Sequence, residues 1–215
     1  MSVYLPPGYD KNPSFRYPVL YAHDGQFVFR RGELAVDRAL EALVEEGIVE
    51  PHIVVAVHRT KDRSRELKPG GRRREATPSL ELYEKLLVEV VKPLIDTRFR
   101  TRPDRESTSV IGYSLGGLAN FYLMMRRSEV FGAIGCMSPS LWWKNGVALE
   151  ELASYRGRLP DRLWVDAGTR EGRRWEEMPY FILQQLKGRF RGRALGQDKL
   201  EKSHINYPTI PILNL

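Results

Sequence analysis

Residues 107–117 read STSVIGYSLGG. Thr108 to Ile111 form a short β-branched and apolar run, which is how a buried strand reads, and an apolar pattern at helical spacing follows over residues 115–127. Between them, Gly112-Tyr113-Ser114-Leu115-Gly116 sets one serine in a tight strand-to-helix turn where small neighbours keep side chains away from crowded backbone. Such a turn holds the serine hydroxyl exposed above the sheet, as a nucleophile elbow does. The following helix points its N-terminus at that hydroxyl, and the amide of Leu115 is placed to stabilise an oxyanion.

Outward from this turn, four more runs read as buried strands: YPVLYAH (17–23), HIVVAVH (52–58), AIGCM (133–137) and RLWVDAG (162–168). Helical patterns alternate with them. Leu34, Val36, Leu40, Leu43 and Val44 make one; Leu82, Tyr83, Leu86, Leu87, Val90, Val91 and Leu94 make another, with Thr77-Pro78 as its start. Weaker patterns run over 147–155 and 175–187, the latter bent near Pro179. Alternation of this kind predicts an α/β fold with a mainly parallel sheet and helices on both faces, here as a single domain over residues 1–215. In such sheets ligands bind beyond the carboxyl ends of the strands, so residues just after each strand are the ones to examine.

The composition narrows the function. A formal net charge of +7 raises the question of nucleic acid, but the arginine clusters GGRRRE (70–75), RFRTRPDRE (98–106) and GRFRGR (188–193) are interleaved with acids or lie apart, and no recognition motif accompanies them. No nucleic-acid partner is expected. No apolar run reaches the roughly 18 to 20 residues that span a bilayer, and the first residues lack the pattern of a signal peptide, so the expectation is a cytoplasmic protein without a membrane partner. The single cysteine, Cys136, excludes a disulfide framework and reads as a small core residue. Four scattered histidines show no zinc-ligand spacing, and neither a metal nor another cofactor is expected.

A serine hydroxyl is a poor nucleophile at neutral pH, so a histidine must take its proton and a carboxylate must orient that histidine. In this architecture they follow the serine in the order acid, then histidine. His23, His52 and His58 lie upstream of Ser114, which leaves His204. For the acid, Asp166 stands at the end of one strand and Glu171 in the loop beyond it. Glu171 is the better placed to reach across the mouth, while Asp166 can equally fix the loop by accepting backbone amides; a dyad without an acid, or an acid elsewhere, stays open.

Six segments in order, VYLPPGYD (3–10), YPVLYAHDGQ (17–26), RREATP (73–78), GYSLGG (112–117), MSPSLWW (137–143) and DAGTREG (166–172), resemble the esterase family of α/β-hydrolases that takes in enterochelin-type esterases, feruloyl esterases and S-formylglutathione hydrolases. The resemblance implies Ser114 as nucleophile and Glu171 as acid. It implies a second oxyanion amide at Gly25 or Gln26; His23, at a strand end, reads as a donor bracing that loop, with a base as the alternative. It also implies substrate-binding positions at Trp142, Trp143 and Arg74, beside Arg73. Tyr113 takes the place of a small or polar residue and is expected to pack. The resemblance departs at both ends, which predicts a sheet shortened there: the family carries a strand before the position of VYLPPGYD, and residues 189–215 lack its last strand, its GGxH-like loop and its closing helix. Pro208 and Pro211 exclude a regular helix at that end. The apolar stretch INYPTIPILNL (205–215) is expected to lie against the core or to support a homo-oligomer. The activity implied is that of a serine carboxylesterase acting on small or short-chain acyl esters through an acyl-enzyme. A non-catalytic binding or assembly module on the same fold is the alternative.

Overall fold

The structure is a computed structural model, and it describes residues 1–29, 34–70, 79–168 and 209–211. The chain divides into two compact units, Met1–Ile111 and Gly112–Leu215. In each unit the strands pair mostly in parallel and are accompanied by helices, as in the α/β-hydrolase architecture.

In the first unit the strand order is β1-β3-β2-β4, with β1 at Ser2–Tyr4, β2 at Val19–Ala22, β3 at Ile53–Ala56 and β4 beginning at Thr108. β2 runs parallel to both β3 and β4, with Val19 opposite Ile53 on one side and Thr108 on the other. All four residues of β3 are buried, which is why HIVVAVH carries no polar alternation. β1 pairs antiparallel with β3, Val3 opposite Val55. The sequence pattern does not reveal β1, because three residues with Pro6 and Pro7 behind them give no periodicity.

Helix α1 covers Val36–Glu45 and α2 is a single turn at Arg63–Glu66. The long apolar pattern forms α3 at Ser79–Lys85, a π-helical turn at Leu86–Val91 and α4 at Lys92–Arg98. Pro93, at the start of α4, has no N–H to give the carbonyl four residues back, and its ring crowds that carbonyl. The wider π turn just before it accommodates the ring, and the Lys92 amide reaches back to the Leu87 carbonyl. Only one flank of the pattern is buried: Leu80, Tyr83, Leu87, Val91 and Ile95 lie inside, while Leu82, Leu86 and Val90 face solvent.

In the second unit β4 ends at Tyr113, and helix α5 follows at Leu115–Arg126, buried along most of its length. β5 (Ala133–Met137) pairs in parallel with β6 (Arg162–Gly168), and α6 (Val147–Ser154) lies between them in sequence. Cys136 is a buried core residue of β5, as its apolar setting predicts; burial pushes its thiol well above the ordinary range and the charge of Asp166 adds to this. β6 is joined on its far side by an antiparallel strand, β7, at Thr209–Pro211, with Asp166 opposite Pro211 and Gly168 opposite Thr209. Part of the apolar C-terminal stretch is therefore paired with its own chain. Among the described residues no helix is long and apolar enough to cross a membrane.

Candidate active site

Ser114 stands between β4 and α5 with φ 57° and ψ −113°. A side-chain-bearing residue rarely adopts this conformation, and holding one there costs on the order of 1–3 kcal/mol. Three backbone hydrogen bonds hold it: the Ser114 amide donates to Met137 (2.9 Å), and the Ser114 carbonyl accepts from Leu118 (3.0 Å) and from Ser140 (3.0 Å). Of the three partners, Met137 ends β5 and Ser140 lies in the loop after it. The contact of this loop with α5 is close enough that a Cβ on Gly117 would lie 2.9 Å from the Met137 carbonyl oxygen and 3.0 Å from Pro139 Cα. Gly117 is thus the glycine that lets α5 approach this loop, although the elbow pattern itself ends at Gly116.

The loop has its own anchor. Asp166, at the end of β6, accepts from the Ser138 amide at 2.7 Å through one carboxylate oxygen and from Trp164 Nε1 at 2.9 Å through the other. Ser138 has φ 37°, a further strained position. Asp166 therefore takes the loop-fixing role weighed for it in the sequence, one oxygen spent on backbone and one on an indole.

Ser114 is partly exposed, and its Oγ lies 3.2 Å from the Oγ of Ser140, a hydroxyl buried to 4% exposure. The Leu115 amide opens α5, where a helix has no carbonyl of its own to receive it. Tyr113, the last residue of β4, is 53% exposed where its sequence led to the expectation of packing. Trp142 is 52% exposed, and Trp143 is half-buried with the Lys144 ammonium 5.7 Å from its ring centroid.

The HDGQ segment belongs to the first unit and is braced from several sides. His23 is buried, and its Nδ1 lies 2.7 Å from the Tyr83 hydroxyl, a tie from loop to helix α3 rather than a free base. Burial pushes the Tyr83 hydroxyl well above its usual range, with Asp24 and Glu66 adding to the effect. Asp24, at φ 54°, receives Arg63 through both carboxylate oxygens at 2.5 and 2.6 Å. The Gly25 amide donates to the Val57 carbonyl at 2.9 Å, and a Cβ there would lie 2.7 Å from Ala56 backbone. That bond commits the Gly25 amide. The Gln26 side chain is tied to Arg59, whose amide it accepts and whose carbonyl it donates to.

Glu171, His204, Arg73 and Arg74 lie outside the described residues. Among the described residues no group of three His, Cys, Asp or Glu side chains is arranged to hold a metal ion. Ser140, which sequence reasoning passed over, is brought beside Ser114; the signal was its place in MSPSLWW, on the loop that β5 delivers beside the elbow.

A strained serine at the joint of a strand and a helix, on a mostly parallel sheet, defines the class as an α/β-hydrolase. The family described as "Putative esterase" matches residues 1–205, and the chain belongs to it, an esterase family of carboxylic ester hydrolases. The YbbA protein of Bacillus subtilis (strain 168) is 24% identical over 86% of this chain and 74% of its own length. The endo-1,4-beta-xylanase/feruloyl esterase of Xylanibacter ruminicola is 31% identical over 79% of this chain, which spans only 22% of that protein. Among solved structures, the siderophore hydrolase EstB from Aspergillus nidulans superposes with a TM-score of 0.69 at 20% identity, covering 86% of this chain and 77% of that one. The BES protein from Bacillus cereus superposes with a TM-score of 0.67 at 22% identity, covering 85% and 76%. At these identities the superpositions speak for the fold.

Proposed function

We propose that the chain hydrolyses small or short-chain acyl esters through an acyl-enzyme formed on Ser114. The observation that carries this reading is the backbone of Ser114, φ 57° and ψ −113° at the first turn of α5, where strain is maintained at a position that chemistry can use. In the first step Ser114 Oγ bonds to the acyl carbon while its proton passes to His204, which gives it to the departing alcohol. In the second step water, deprotonated by the same base, attacks the acyl carbon, and the acid leaves as the proton returns to Ser114. Glu171 is the proposed partner of His204, since Asp166 is engaged by Ser138 and Trp164. The Leu115 amide receives the oxyanion, and the Gln26 amide is the second donor proposed from the family resemblance. Arg74, Trp142 and Trp143 are proposed to contact the ester, and the exposed ring of Trp142 has area to offer.

The test is hydrolysis of p-nitrophenyl acetate and butyrate together with labelling by a fluorophosphonate. The wild type should turn over both esters and carry the phosphonyl group on Ser114 by peptide mass analysis. Ser114→Ala should do neither while unfolding at the same denaturant concentration. Turnover by Ser114→Ala at the wild-type rate would overturn the proposal.

A further inference from the structure

We propose that Ser140 is a second catalytic hydroxyl of this site, donating a hydrogen bond to Ser114 Oγ as that oxygen gains and sheds charge; the inference rests on Ser114 being the nucleophile. The two oxygens are 3.2 Å apart, and either hydroxyl has a proton to give. Proton accounting sets the direction. The Ser114 proton must go to a base for the oxygen to attack. Ser140 is 4% exposed, and among the described residues its Oγ makes no other hydrogen bond. If Ser140 accepted from Ser114, its own buried proton would be left without a partner. With Ser140 as donor, both protons are used, and Ser114 keeps one lone pair for the acyl carbon.

The placement of Ser140 is held independently of that bond. Its amide donates to the Ser114 carbonyl, so backbone and side chain both address the same residue. Two residues earlier, Ser138 is fixed by the Asp166 carboxylate. Asp166 is in turn held by Trp164 of the same strand. Asp166 is thereby a positioning residue for Ser140. The hydroxyl needs no reorganisation at the moment of reaction, the condition under which a donor near developing charge is most effective. It serves both steps, since Ser114 Oγ is the entering oxygen in acylation and the leaving oxygen in deacylation.

The experiment compares Ser140→Ala, Ser140→Cys and Ser140→Thr with the wild type in p-nitrophenyl acetate hydrolysis and in the rate of Ser114 phosphonylation. Loss of one donor to a charged oxygen should lower kcat of Ser140→Ala roughly tenfold to a hundredfold. KM should stay within about twofold, because the bond is not made to the substrate. Phosphonylation should slow by a similar factor. Ser140→Cys, nearly isosteric but a weak donor, keeps the test valid if the alanine variant does not fold, and should also be slow. Ser140→Thr retains the hydroxyl and should recover most of the rate. Wild-type phosphonylation and kcat in Ser140→Cys, or a threonine variant as slow as the alanine one, would overturn the inference. Failure of the wild type to label on Ser114 would overturn the nucleophile assignment as well, so the two failures are distinct.

Discussion

At Ser114 the strain is local and its support is not. The residue is held by Met137, Leu118 and Ser140, and the approach that permits this depends on the missing side chain of Gly117. Gly117→Ala should therefore destabilise the protein by about 1–3 kcal/mol, since the added carbon meets backbone that cannot swing aside. The denaturation midpoint measures this, and kcat should fall with it as the Ser140 loop is pushed off Ser114. The two acids separate in the same way. Asp166→Asn turns an amide N–H₂ toward Trp164 Nε1 or the Ser138 amide, so its expected effect is a stability loss of about 1–3 kcal/mol, with a fall in kcat no larger than that of Ser140→Ala as the loop shifts. Glu171→Gln, if it orients His204, should instead cut kcat by on the order of 10² to 10⁴ with the midpoint unchanged. The reverse pattern would exchange the two assignments. The tight turn at Ser114 was legible in the sequence because Gly-x-Ser-x-Gly sits between a clear strand and a clear helix. The nearness of Ser140 was not, because it comes from a loop folding back across 26 positions onto Ser114.

Among the described elements, those with a full period were read correctly and the shortest were missed, while the helix expected over 175–187 lies outside the described residues. β2 to β6 each carry a continuous apolar run, whereas β1 and β7 have three residues apiece and owe their existence to a neighbouring edge. β7 contains Pro211, which cannot donate to a ladder and so suits an outer position. A chain ending at Tyr207 would leave the outer side of β6 at Asp166–Gly168 without this partner. It should unfold at lower denaturant and aggregate more readily, as unpaired strand edges do. Equal midpoints and equal light scattering for the shortened chain would show the pairing to be dispensable. In the long helical segment the period was read correctly, and only the flank of Leu80, Tyr83, Leu87, Val91 and Ile95 is buried. Tyr83 joins that segment to the HDGQ loop, and Tyr83→Phe should cost about 1–2 kcal/mol by leaving a buried His23 nitrogen without this bond.

For the whole molecule, acid is an informative variable. The Asp104 carboxyl sits below its ordinary value of 3.8: partial burial raises it, and hydrogen bonds from Ser107 outweigh that. Its contribution to stability is complete above 3.8 and is lost as the pH falls through the lower folded value. Asp104→Asn keeps an acceptor for the Ser107 amide but cannot titrate. The stability gap between wild type and variant at pH 7 should close by about pH 2, as urea titrations at the two pH values would show. The fold as a whole was legible because α/β alternation repeats, each repeat confirming the last.

The lone thiol of Cys136 has a use beyond packing. It lies in β5, the strand that runs into the Met137–Ser140 loop, and it is wholly shielded from solvent. Because the chain has no other cysteine, a thiol-specific dye reports one site only. In the native state the dye reacts only when this strand opens, so its rate at varied reagent concentration is a clock for excursions of the framework beneath Ser114. Variants such as Gly117→Ala or Asp166→Asn can then be ranked by how often they expose that sulfur, without denaturant and without substrate.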